Sequence, residues 1–147
     1  MGLFDRVLGN NTVKEAMTPA EAFAAITLSV VTSDGYLSEE EARGISAVLS
    51  RMKMYRSYSN ELMQRMFDKI LGILRHEGMN SLFDTAKESL SYEMRESAFA
   101  VAADLILADG IVTQEEKEFL NDLYQALSLD TDVATQILEV MLIKNRG

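Results

Sequence analysis

At 147 residues the chain has the size of one domain, and its 48% hydrophobic content is enough to fill a core. Fourteen Lys and Arg against 23 Asp and Glu give a net charge of -9, which repels nucleic-acid phosphates and anionic membranes and favours cations or basic partners. Without Cys the chain has neither disulfides nor thiolate metal sites, and its longest apolar run, residues 97–108, falls short of the roughly 20 residues of a membrane span.

No signal peptide is visible, so the expectation is a soluble, intracellular protein, with nucleic-acid and membrane roles disfavoured. One proline and eight glycines point to long uninterrupted helices. The pattern of residues 2–9 predicts a short amphipathic turn with Leu3, Phe4, Val7 and Leu8 on one side, read as an arm docking on the core in preference to a membrane-surface foot. Arg6 stands where a myristoylation signal needs Ser or Thr. Thr18-Pro19-Ala20-Glu21 then starts a helix over 19–33, with Thr18 as N-cap, Pro19 at the first helical position and Glu21 closing a capping box. Gly35 suits the left-handed end of that helix, and Ser38 with Glu41 makes a second capping box for a helix over 39–54.

Residues 55–58 read as a polar and aromatic connector. Ser59 caps a helix over 60–77, in which Leu62, Met63, Met66, Phe67, Ile70, Leu71 and Leu74 recur at three- and four-residue steps and predict a core-facing stripe. Gly78 ends it, Asn80 caps a shorter helix to 90, and Ser91 or Tyr92 opens a long helix to 108. Thr113 with Glu116 repeats the capping box for a helix to 127, and Asp130 caps a last helix carrying Val133, Ile137, Leu138, Met141 and Leu142 at helical spacing. No stretch alternates with the period of a half-buried strand. The expected fold is all-α, a single domain over 1–147 with about seven helices in a compact bundle.

The chain also resembles itself. A shift of 75 residues lays Asp34-Gly35 on Asp109-Gly110, Leu37 on Val112, Ser38 on Thr113, and Glu40-Glu41 on Glu115-Glu116. Two copies of a helix-turn-helix unit, over about 19–54 and 92–127, give the bundle an approximate pseudo-two-fold repeat.

Read from its aspartate, each turn matches the second half of an EF-hand calcium loop. The first half is missing, because the first and third ligand positions are Val30 and Thr32 in one copy and Leu105 and Leu107 in the other. What remains is an acidic cluster at each turn: Asp34, Glu40 and Glu41 in the first, and Asp104, Asp109, Glu115 and Glu116 in the second. Hard oxygen ligands of this kind suit a divalent cation such as Mg²⁺, Ca²⁺ or Mn²⁺. Helix capping explains much of the same pattern, since Asp-Gly is a turn signal and Glu41 and Glu116 complete capping boxes. Asp104, a carboxylate inside the apolar run AVAADLILA, is required by no cap and favours the second copy as the metal site; its counterpart in the first copy is Ser29.

Other features read as structural. The single His76 sits in the last turn of a helix, where a partly cationic imidazole suits the dipole. Met63 and Met66 lie on the apolar stripe and read as core, with Met52 and Met54 less clearly so. No glycine-rich phosphate loop, no Gly-x-Ser-x-Gly and no His-Cys pair supports an enzyme.

The twin Asp-Gly turns carry a resemblance. The Ala-rich helix into Ala108-Asp109-Gly110 with Glu115 and Glu116, the matching Ser33-Asp34-Gly35 with Glu40 and Glu41, and the opening Gly2-Leu3-Phe4-Asp5 resemble the TerB-like family of tellurite resistance, over roughly 19–142. The resemblance implies an all-helical, cytoplasmic bacterial domain without established catalysis, tied to stress or metal-oxyanion response and proposed to bind metal through Asp104, Asp109 and Glu116, with Asp34 and Glu41 in the first copy. The resulting expectation is a non-catalytic module that binds a divalent cation at the second turn and engages protein partners of a stress-response system. The alternative is an interaction module whose acidic turns are only helix caps. A last helix rich in Val, Leu and Met leaves room for a homodimer.

Overall fold

The computed structural model describes residues 16–108 and 110–146, so the turn expected over 2–9 and the candidate ligand Asp109 lie outside the described residues. Those residues form seven α-helices and no strand: α1 (Pro19–Val31), α2 (Glu39–Leu49), α3 (Asn60–Glu77), α4 (Met79–Glu88), α5 (Tyr92–Leu107), α6 (Gln114–Ala126) and α7 (Thr131–Lys144), with a 3-10 turn at Lys53–Tyr55. No described helix is long and apolar enough to cross a membrane.

α1 is the hub. Its residues from Ala22 through Ser29 are all buried, as a helix that is apolar on every side must be, and α2, α3, α4 and α5 all pack on it. The alanines at 22, 24 and 25 let those neighbours come close, while Phe23, Ile26 and Leu28 fill the space between them. Thr27 and Ser29 are the polar residues in this buried stretch, and both donate back to their own helix, Thr27 Oγ1 to the Ala24 carbonyl at 2.9 Å and Ser29 Oγ to the Ile26 carbonyl at 2.6 Å. α5 is the second core helix, with Ala98, Phe99, Ala102 and Ala103 fully buried; it packs against α1, α6 and α7. Phe83 on α4 meets Phe119 on α6 edge to face, centroids 6.2 Å apart.

The caps follow the sequence closely. Thr18, Ser38 and Thr113 each close a reciprocal capping box with the glutamate three residues on, and Ser59 and Ser91 cap α3 and α5. The departures have tertiary causes. The helix expected over 39–54 stops at Leu49, because the chain turns to bury Tyr55, whose hydroxyl donates to the Ala20 carbonyl at 2.6 Å. Tyr55 therefore belongs to the core and not to a polar connector. Asn80 does not cap α4; Gly78, with φ +85°, ends α3 and opens α4 at once. Asp130 precedes α7 without a side-chain cap bond, and its N–H donates to the Tyr92 hydroxyl at 3.2 Å. Leu62, placed on the core stripe by its spacing, is 45% exposed, whereas Met63 and Met66 are buried as expected. Leu142 is exposed as well.

Candidate functional site

The two Asp-Gly turns share their local scaffold. Each follows a core helix, each carries a glycine at positive φ, +88° at Gly35 and +76° at Gly110, and each runs into a capping box. These glycines adopt a conformation that side chains with a Cβ disfavour.

Beyond the scaffold the turns differ. The first is closed from within and from above. The Asp34 carboxylate accepts from the Tyr36 N–H and from the Thr32 hydroxyl, both at 3.0 Å, and the same hydroxyl accepts from the Gly35 N–H at 3.2 Å. These bonds, that of the Tyr36 amide first, hold the Asp34 carboxyl below its ordinary pKa. Arg75 of α3 then covers the turn, donating to the Gly35 carbonyl at 2.8 Å with its guanidinium 5.3 Å from the centre of the Tyr36 ring. A Cβ on Gly35 would lie 2.3 Å from Arg75 Cγ.

In the second copy Leu107 stands where the first has Thr32 and offers no hydroxyl, and a Cβ on Gly110 would meet nothing within 4 Å. Beside it opens an apolar cavity of about 480 Å³ between α6 and α7, lined by Leu107, Val112, Leu120, Tyr124, Leu138 and Leu142 among others. A smaller one of about 400 Å³ continues past Gly110 to Asn145 and Arg146 and shares Leu107, Val112 and Leu142 with the first.

Glu41 Oε1 accepts from the Ser38 N–H at 3.0 Å and Glu116 Oε1 from the Thr113 N–H at 2.9 Å, so both work as caps. Glu40 and Glu115 are exposed in the first turns of their helices, where a negative charge suits the dipole. Asp104 Oδ1 accepts from Lys144 Nζ at 3.1 Å and Asn145 Nδ2 at 2.8 Å, tying α5 to the end of α7. Its counterpart Ser29 is buried in α1, where an unpaired carboxylate would carry a large desolvation penalty; Asp104 lies at a partly open surface with a cation beside it. Among the described residues no group of three or more His, Cys, Asp or Glu side chains is placed to hold a metal ion. Of the six described candidate carboxylates, two serve caps, one serves its own turn, one is paired with a lysine and two are exposed in first helical turns.

Sequence reasoning missed Arg75, Lys144 and Asn145. Each acts on a residue 40 or 41 positions away, and none belongs to a local motif. It also missed the groove, which α6 and α7 build together.

Compared with known proteins, the chain matches no curated protein and no solved structure. A family model described as tellurite resistance protein TerB matches residues 20–139, from the start of α1 into α7.

Proposed function

The chain belongs to the TerB family of tellurite resistance proteins, and from that premise we propose that it is a non-catalytic helical module of a bacterial, cytoplasmic stress response. It acts by presenting its second Asp-Gly turn, and the helices beside it, to protein partners. One observation supports this reading: two turns built on one scaffold have diverged, the first sealed by Thr32 and Arg75, the second with Leu107 in place of Thr32 and free space around Gly110, beside an apolar groove. Closed turns stabilise a fold, whereas an open one flanked by exposed apolar side chains, Leu142 at 51% and Ile143 at 61%, is suited to contact. The net charge of -9 disfavours direct capture of an oxyanion, so protection against tellurite runs through a partner.

The test is protection of cells that lack the chain. The wild-type chain and an Arg43→Gln control, on exposed α2, restore growth on tellurite, and Ile143→Glu does not. Full protection by Ile143→Glu refutes the reading.

A second reading is favoured by one detail. Both bonds to Asp104 among the described residues fall on Oδ1, which leaves Oδ2 to take a divalent cation. Such an ion competes with Lys144 and takes its place, so its binding costs the α5–α7 ion pair.

A further inference from the structure

The two copies of the scaffold have built different recesses. In the first, the cleft between α2 and α3 is lined by charges of both signs, Glu39, Arg43 and Asp68, with Asn60 and Gln64 beside them. In the second, the cavity of about 480 Å³ between α6 and α7 has an apolar floor of Leu107, Leu120, Ala134 and Leu138, and Lys117 is the one charged residue among the described ones that line it. The adjoining cavity of about 400 Å³ adds Arg146. In a chain with 23 acidic and 14 basic residues, the described charges that line this recess are thus both cationic. Lys117 stands where the first copy has Ala42, and among the described residues it takes part in no salt bridge.

Size decides what can enter. The lining stretch of α7 from Ala134 to Leu142 spans about 12 Å. Over that length a partner helix, about 10–12 Å across with its side chains, fills roughly 1,000 Å³, about twice the larger cavity. A single alkyl chain lies along it with room for its head group, and the cavity's volume falls within the range of about 300–1,000 Å³ of small-molecule pockets. Lys117 and, one turn further along the α6 wall, Asn121 offer N–H donors to an anionic head. The net charge of -9 disfavours a bare oxyanion, but here apolar burial supplies the affinity, about fourfold for each methylene covered, and the lysine selects the sign of the head.

We propose that the α6–α7 cavity is a binding site for a single-chain anionic amphiphile, a medium-chain fatty acid, with its tail along Leu107, Leu120, Leu138 and Leu142 and its carboxylate at Lys117. This goes beyond the reading of the chain as an interaction module and does not rest on it.

The probe is decanoate, titrated below its micelle concentration into the full chain with leucine methyl groups labelled for NMR. Saturable shifts are expected at Leu107, Leu138 and Leu142, and octanoate, two methylenes shorter, should bind about 15-fold more weakly. Lys117→Met weakens decanoate by about fivefold, the worth of one charge pair at a partly open site, and Lys117→Arg restores it. Thr135→Trp, at an exposed position that lines the cavity, fills it and abolishes binding. Arg43→Gln, in the first-copy cleft, leaves binding unchanged. Decyltrimethylammonium has the same tail and the head that the chain's overall charge favours, so a preference for decanoate isolates the local effect of Lys117. Equal or tighter binding of the cationic amphiphile, no saturable shift with decanoate, or a loss with Arg43→Gln as large as with Lys117→Met overturns the proposal. So does binding to phosphatidylglycerol vesicles that Thr135→Trp abolishes, which assigns this face to a bilayer.

Discussion

Arg75 and Gly35, forty residues apart, are locked together: the guanidinium donates to the Gly35 carbonyl at 2.8 Å while the glycine's missing side chain makes room for the Arg75 stem. The contact fastens α3 over the first turn. A methyl group at 35 would be strained by a φ of +88° and would also strike Arg75 Cγ and approach the Leu71 carbonyl, so Gly35→Ala should destabilise by about 3 kcal/mol or more. Gly110→Ala suffers only the strain of its φ, about 1 kcal/mol, because nothing lies within 4 Å. Urea unfolding of the two variants measures the difference, and equal losses contradict the contrast between a sealed and an open turn.

The Asp34 carboxylate gives that turn an acid limb. Its folded pKa lies below the ordinary value because of the Tyr36 amide and then the Thr32 hydroxyl. A depressed carboxyl pKa contributes stability in full above the unfolded value of about 3.9, and this is lost as pH falls through the folded value. Asp34→Asn, whose amide oxygen accepts weaker bonds, should therefore be less stable than wild type at neutral pH. The gap should narrow as both are acidified through that window. A gap in the urea midpoint that stays constant from neutral pH to about pH 2.5, below the ordinary carboxyl range, argues against this role for Asp34.

Tyr55 supplies the opposite limb. Burial, and next the neighbouring Tyr58, push its hydroxyl pKa well above the ordinary tyrosine value, while its bond to the Ala20 carbonyl requires the proton. A raised acid pKa contributes stability below the unfolded value of about 10 and loses it as pH rises through the folded one. Tyr55→Phe leaves the Ala20 carbonyl without this donor and should cost about 1–2 kcal/mol at pH 7. Above pH 10 the wild type should decline more steeply than the variant, which thermal unfolding of the pair at pH 8 and about pH 11 detects.

How much of this was legible in the sequence depends on the range of the interaction. Capping boxes span three residues, and Thr18, Ser38 and Thr113 all form as their local pattern predicts. The limits of α3, set by Ser59 and Gly78, agree with the reading to the residue. The misses belong to partners far along the chain. Helix α2 ends early so that Tyr55 can reach Ala20, and Leu62 sits at the margin of a stripe whose centre alone is covered. At the site, spacing identified the acidic residues but not their occupation, since Lys144 and Asn145 come to Asp104 only through the packing of α7 on α5. Whether a carboxylate awaits a cation or already holds one is a tertiary fact.

Asp104 therefore decides between the two functional readings. If a divalent ion binds the second turn, it exchanges with Lys144, and the thermal midpoint in chelator should rise on adding one of Mg²⁺, Mn²⁺, Ca²⁺ or Zn²⁺. At about 100 times the dissociation constant the gain is roughly 2.7 kcal/mol, less what the broken Lys144 pair contributed; that pair is 34–58% exposed and adds no more than about 1 kcal/mol. For a chain of this size the net shift is several degrees. Asp104→Ala/Asp109→Ala should abolish it, and Lys144→Met should enlarge it by removing the competitor. If wild type shows no shift with any of the four ions, Lys144 is the only cation that Asp104 serves. The second turn then acts through its open surface and the α6–α7 groove alone.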